Sequence, residues 1–225
     1  MKGISSMALR QLLADLLPAY EAAGGAHAEI ESVGGVDAAK RVQAGEAFDL
    51  VLLASDAIAK LIAAGSVRPG SQVNLARSGV AVAVRAGASL PYIGSEEALR
   101  DAVLAARSIG YSTGPSGVAL IKLFERWGIT ERIKERIVVA PSGVPVGSLV
   151  ASGEVALGFQ QLGELMHLPG ITVIGPMPPE VQITTIFSGG VCTAAADAGA
   201  VQKLLAFMAS PAAAEMKRRQ GMEPA

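Results

Sequence analysis

Hydrophobic and polar positions along the chain follow two periods that keep changing places. Short apolar or alternating runs, "AEIESV" and "FDLVLLAS", give way to stretches with apolar residues three or four apart, "VDAAKRVQAGE" and "DAIAKLIAAG". The first kind predicts strands and the second amphipathic helices. Ahead of them, "MALRQLLADLLPAYEAAGG" predicts an amphipathic helix that follows a first strand almost at once. Regular alternation of strand and helix argues for right-handed βαβ units and a mainly parallel sheet flanked by helices. The run "DLVLL" is apolar throughout, as a strand covered on both faces is.

At 78 to 88, "SGVAVAVRAGA" interrupts the alternation with one long strand, which reads as a crossover from one sheet into another. A second βα series follows, predicted as helix 96 to 106, strand 107 to 111, helix 115 to 127, strand 137 to 140, helix 146 to 152 and strand 155 to 159. "VQITTIFSGGVCTA", 181 to 194, repeats the long-strand signal and leads back to the helical "AGAVQKLLAFMAS" and "PAAAEMKRRQG". The prediction is therefore an α/β fold of two lobes joined by two crossover strands. Residues 1–80 begin lobe 1, 81–185 form lobe 2, and 186–225 return to lobe 1.

Five strand-to-helix turns carry small hydroxyl residues and glycines: "ISSMAL", "ESVGGVD", "LLASDA", "GYSTGPSG" and "APSGVPVG". In an open α/β sheet such turns line the crevice at the carboxyl ends of the strands, where ligands bind. A helix opening leaves its first N–H groups unpaired and carries about half a positive charge, so a hydroxyl can cap it or an anion can take that place. Capping alone accounts for any single turn. "YSTGPSG" holds more hydroxyls and glycines than a cap needs, with Pro115 suited to a first helical position. Candidate ligand-binding residues are thus Ser5, Ser6, Gly34, Gly35, Ser55, Ser112, Thr113, Ser116, Gly117 and Val146. Gln160 joins them: with Gln161 it follows the apolar "VALGF" and is expected to open a helix, one amide facing the crevice while the other packs or caps. An amide can donate to a carboxylate without burying a charge.

Charge and composition narrow the partners. Nineteen Lys and Arg stand against 20 Asp and Glu, so no field of one sign favours nucleic acid or an anionic membrane. The single Cys192 excludes a disulfide within the chain, and its apolar strand context reads as a buried, inert thiol. No CxxC or clustered His predicts a metal site. No Walker A or GxGxxG pattern predicts a nucleotide, and no cofactor is expected. No apolar run reaches the ~18 residues of a membrane span. The N-terminus carries no secretory leader, which predicts a cytoplasmic protein as the sequence stands and a periplasmic one if a leader has been removed.

The whole chain resembles the type II periplasmic binding proteins of the molybdate-binding family. "KRVQAGEAFDLVLLASD", "GYSTGPSGVALIKLFERWGI", "VASGEVALGFQQLGEL" and "PPEVQITTIFSGGV" carry the resemblance, through to the closing "LLAFMASPAAAEMKRRQGM". It implies two lobes that close on a small oxyanion held by serine hydroxyls and backbone N–H groups, without a cationic side chain. It also implies service to an ABC importer if the protein is exported. In a gapless alignment the family's first-lobe serine falls on Ala8 and its second near Gly34 or Gly35. Loss of both hydroxyls argues against molybdate. A larger organic anion, a di- or tricarboxylate, would take donors from Ser6, Ser55, Ser112, Thr113 and Ser116.

Aconitate isomerase resembles the same family, which keeps an enzyme alternative open, since shifting a double bond needs a held substrate and a base that relocates one proton. Asp56, Tyr111 and Glu164 are the candidate bases, each with a plainer role as a helix-start acid, a packing ring and a solvated helix residue. His27 is expected at a lobe surface, and His167 lies a few residues after Gln161. A binding protein and a proton-shift isomerase both stand at this point.

Overall fold

Five consecutive apolar residues, Leu50–Ala54, form a strand whose every member is buried, with helices following on from its end. That strand belongs to a computed structural model that describes residues 1–225. In chain order the first elements are β1 (Lys2–Ser6), α1 (Arg10–Ala22), β2 (Glu29–Val33), α2 (Gly35–Gln43), β3 (Leu50–Ala54), α3 (Ser55–Ala63) and β4 (Val73–Arg85). Then come α4 (Glu96–Ala105), β5 (Ile109–Ser112), α5 (Pro115–Arg126), α6 (Thr130–Ile133), β6 (Ile137–Ala140), α7 (Val146–Ser152), β7 (Leu157–Gln161), α8 (Leu162–Leu165) and β8 (Ile171–Pro176). The chain ends with β9 (Thr184–Val191), α9 (Ala198–Ala209), α10 (Ala214–Arg219) and β10 (Met222–Pro224). It divides into two units, Met1–Ser78 with Thr185–Ala225, and Gly79–Thr184.

In the first unit the strands run β2-β1-β3-β9-β4, with β10 also pairing with β4. β1 is parallel to both β2 and β3, β9 is antiparallel to β3, and β10 is antiparallel to β4. Strand periodicity divides the core: Leu50 and Leu52 face α1 and α9, while Val51 and Leu53 pack with Ile4, Ile58 and Ala38 on the other side. Leu12, Leu13, Leu16 and Tyr20 form the buried stripe of α1, each leucine contributing about 1.5–3 kcal/mol by leaving water. Asp197 opens α9 by accepting from the Ala200 N–H at 2.9 Å.

In the second unit β5 is parallel to β6 and β7, and β4 pairs antiparallel with both β7 and β8, with a bulge between Val82 and Ala83. Val80, Val82 and Val84 enter the larger core with Leu99, Tyr111, Phe124 and Phe159, and Ala81 and Ala83 meet Leu165 on the opposite face. Ser95 caps α4 through the Ala98 N–H, and Glu96 accepts from the Trp127 indole at 2.6 Å, tying α4 to the end of α5.

Each unit therefore holds a parallel βα portion beside antiparallel strands, and the chain crosses between units along β4 at Ser78 and again at Thr184. The long-strand signal at 78 to 88 is the second half of β4, which starts earlier, at Val73. β8 and β10 were not legible as strands in the sequence; both pair with β4.

Candidate functional site

Parallel neighbours lie about 4.8 Å apart, so strands that pair in parallel bring the openings of their following helices together. In the first unit these are the ends of β2, β1 and β3, with Ser6 opposite Val33 and Ser5 opposite Leu52 in register. A Cβ on Gly35 would lie 3.5 Å from Ser6 Oγ, so the start of α2 sits beside the Ser6 hydroxyl. Ser6 Oγ accepts from the Ala8 N–H at 3.3 Å. Its own hydrogen is left to donate elsewhere. Ala8 itself is buried in the short 3-10 turn that Ser6 caps.

Ser55 is the first residue of α3, and its Oγ accepts from Gln72 Nε2 at 3.0 Å. Asp56 beside it is exposed in the first turn, the ordinary place for an acid near a helix opening. Ser5 corrects the expectation made of it. Adjacent strand residues point to opposite faces, and Ser5 is fully buried with its hydroxyl 2.8 Å from Ser32 Oγ, so it does not join Ser6.

In the second unit the ends of β6, β5 and β7 stand in the same relation, with Ser112 opposite Ala140. Pro115 occupies the first turn of α5, as its fixed φ suits, and Ser116 follows it, 8% exposed. Gly117 permits the tight passage from β5 into α5: a Cβ there would sit 1.8 Å from the Ser112 carbonyl oxygen. Ser112 is half-buried and Thr113 exposed on the connecting turn. Tyr111 is buried with its ring edge-on to Phe124, and burial raises its phenol above the ordinary range, which fits packing better than proton transfer at neutral pH.

Gln160 and Gln161 are the last two residues of β7, both buried, and Gln161 also serves as the N-cap from which α8 opens. The Val146 N–H, expected to face a ligand, donates to Gln160 Oε1 at 2.9 Å. A backbone N–H can only donate, so the oxygen of the Gln160 amide must face it and the nitrogen must turn the other way, where it donates to Glu164 Oε1 at 3.0 Å. Val146 and Gln160 are therefore partners of each other, and the crevice-facing amide expected of this pair is committed to α7 and Glu164. Burial pushes the Glu164 carboxyl up to about 7, against the smaller opposing effect of the Gln160 donor.

The remaining candidates are accounted for locally. His27 is exposed and 2.7 Å from Glu21, and His167 is exposed. Cys192 is a buried free thiol pushed up to about 12 by burial and then by the Asp49 charge. Three residues that carried no signal in the sequence stand behind Ser55: Gln72 also reaches Ser188 Oγ at 3.4 Å, and Ser188 Oγ donates to Asn74 Oδ1 at 2.8 Å. They lie in "SQVN" and "FSGG", with no motif to mark them.

Two α/β units linked by two strands, each gathering helix openings rich in hydroxyls and glycines, define a type II periplasmic binding protein fold of the molybdate-binding kind. The chain belongs to the bacterial extracellular solute-binding protein family, whose model matches residues 2–223. Among curated proteins it is similar to an aconitate isomerase from a Pseudomonas species, 36% identical over 98% of this chain and 86% of the relative. Among solved structures it is similar to the periplasmic molybdate-binding protein of Azotobacter vinelandii, with a TM-score of 0.81, 21% identity and 99% and 98% of the two chains covered. PEB3 of Campylobacter jejuni with L-phospholactate bound gives a TM-score of 0.77 at 15% identity over 99% of both chains. No helix is long and apolar enough to cross a membrane.

Proposed function

We propose that this protein binds a small organic polycarboxylate, taking neutral hydroxyl and backbone donors from the helix openings of the first unit. The observation that carries this reading is the state of the two first-unit serines. Ser6 Oγ accepts from Ala8 and Ser55 Oγ accepts from Gln72, so each hydroxyl has its hydrogen left for an acceptor outside the chain. Hydrogen bonds to a charged acceptor contribute about 1.5–3 kcal/mol each, enough to hold an anion without a lysine or arginine. Alanine at 8 and glycine at 34 and 35 stand where the resemblance expects the hydroxyls that hold a tetrahedral oxyanion, which favours a different anion. Molybdate and L-phospholactate are held by structural neighbours of the same fold, so the scaffold is compatible with either inorganic or organic anions. Thermal unfolding with molybdate, tungstate, sulfate, citrate and tricarballylate tests the reading. A polycarboxylate at ~100-fold over its Kd should add about 2.7 kcal/mol of stability, and stabilisation by molybdate alone refutes it.

A second reading is favoured by Glu164 and by the aconitate isomerase relative. A carboxyl titrating at about 7 is half ionised at neutral pH, the condition under which one group can both remove and return a proton. In such a proton shift, Glu164 takes a proton from the methylene carbon beside the double bond. The electron pair moves across the allylic system, and the same proton returns to the former vinyl carbon. Gln160 donates to the carboxylate and holds its orientation. Incubation with trans-aconitate, followed by chromatography of the isomers, decides it; an unchanged mixture at high protein concentration removes the enzyme reading and leaves binding.

A further inference from the structure

The Gln72 side chain carries two amide hydrogens and faces two serine hydroxyls. Its Nε2 lies 3.0 Å from Ser55 Oγ and 3.4 Å from Ser188 Oγ. It also lies 3.4 Å from the Ser55 carbonyl oxygen, which can only accept, so the nitrogen and not the oxygen of this amide faces the cluster. The far end of the chain of bonds is closed as well. Ser188, fully buried, passes its hydrogen to Asn74 Oδ1 at 2.8 Å while it accepts from Gln72. The loop that carries Gln72 is fixed by its neighbour: Ser71 Oγ donates to the Arg68 carbonyl at 2.7 Å and accepts from the Val191 N–H at 3.0 Å.

Of the side-chain hydrogens of Gln72, Ser188 and Ser55, only the hydroxyl hydrogen of Ser55 has no acceptor within the chain. With its oxygen accepting from Gln72, Ser55 presents that hydrogen away from the amide. We propose that Gln72 is a positioning residue that fixes the polarity of Ser55, making its hydroxyl a dedicated donor to the bound anion at the opening of α3. The inference rests on the anion-binding reading above and adds what makes one hydroxyl selective for acceptors. A neutral or cationic guest presenting N–H at this point finds one of the two Ser55 lone pairs already taken by Gln72. The device costs the chain no buried charge.

The test is calorimetric titration of tricarballylate into the full-length protein and four variants: Ser55→Ala, Gln72→Met, Gln72→Glu and the double Ser55→Ala with Gln72→Met. Gln72→Met removes the donors and keeps the length, and about fivefold to tenfold weaker binding is expected, matching the loss of one oriented hydrogen bond. In the Ser55→Ala background the same change should cost less than about twofold, because the group it orients is already gone. Gln72→Glu, which can only accept, turns the Ser55 hydrogen inward and should weaken binding at least as much as Gln72→Met. A purely structural role predicts the same penalty for Gln72→Met with or without Ser55, and that result overturns the proposal, as does wild-type affinity in Gln72→Met. Far-UV circular dichroism of each variant identifies any that fails to fold, and Gln72→Glu then carries the comparison. Failure of wild-type protein to bind tricarballylate would instead overturn the polycarboxylate reading, and the inference with it.

Discussion

Replacing Gly117 by alanine puts the passage from β5 into α5 under direct test. The added Cβ would fall 1.8 Å from the Ser112 carbonyl oxygen, 3.0 Å from its carbon and 3.1 Å from Tyr111 Cδ2. The nearest atom belongs to the backbone and cannot swing aside, so α5 must move from the end of β5 by about 1 Å or more in an interior packed as densely as a crystal. Strain of that kind costs about 1–3 kcal/mol. At ~2–4 °C per kcal/mol for a chain of this size, Tm should fall by several degrees. The same movement displaces Ser112 at the end of β5 and Ser116 at the start of α5. Gly114→Ala is the control. Gly114 has φ −74° and ψ −177°, open to any residue, and a Cβ there would meet only Ser112 Oγ at an ordinary 3.7 Å, so stability should stay within about 0.5 kcal/mol. Thermal unfolding of the two variants provides the comparison. Gly117→Ala with unchanged Tm would refute the close approach.

Two further outcomes follow from buried groups. Lys217 is 1% exposed, its ammonium has no hydrogen-bond partner, and burial lowers its pKa, so Lys217→Met should stabilise the protein by about 1–3 kcal/mol at neutral pH. Because the folded value lies below 10.5, the unfolded chain binds the proton more tightly; the advantage of the variant should be flat at lower pH and shrink as pH rises from the folded value toward 10.5, which chemical denaturation across that range checks. Glu164 has the opposite linkage, since its folded value of about 7 lies above 4.5. The native state holds more protons between those limits, wild-type stability should decline as pH rises from 4.5 to 7, and Glu164→Gln should flatten that decline in denaturant titrations. If the isomerase reading holds, the same variant loses turnover of trans-aconitate.

Local periodicity and turn chemistry made much of this molecule legible. The predicted strand 137 to 140 and helix 146 to 152 coincide with β6 and α7, and the Gly-Pro-Ser start of α5 falls where its residue types favour it. What stayed hidden depends on partners far along the chain. β8 is half-buried along its length with no inside-outside alternation, and β10 has three residues, so neither becomes a strand until β4 pairs with it. "VNLAR" reads as polar because Asn74 and Arg77 are exposed, yet Leu75 and Ala76 between them are buried in β4. The pairing of Gln160 with Val146, like that of Gln72 with Ser55, crosses from one element to another and leaves no spacing signal. Ser5 and Ser6 show the limit in the other direction: one type of residue, adjacent in sequence, with one hydroxyl buried against Ser32 and the other capping the turn.

The central claim is that neutral donors at helix openings hold an organic anion, and a crystal structure of the tricarballylate complex tests it most directly. Carboxylate oxygens within about 2.7–3.2 Å of Ser6 Oγ and Ser55 Oγ are the predicted result. Carboxylates paired with lysine or arginine side chains, and no contact to these serines, would contradict it.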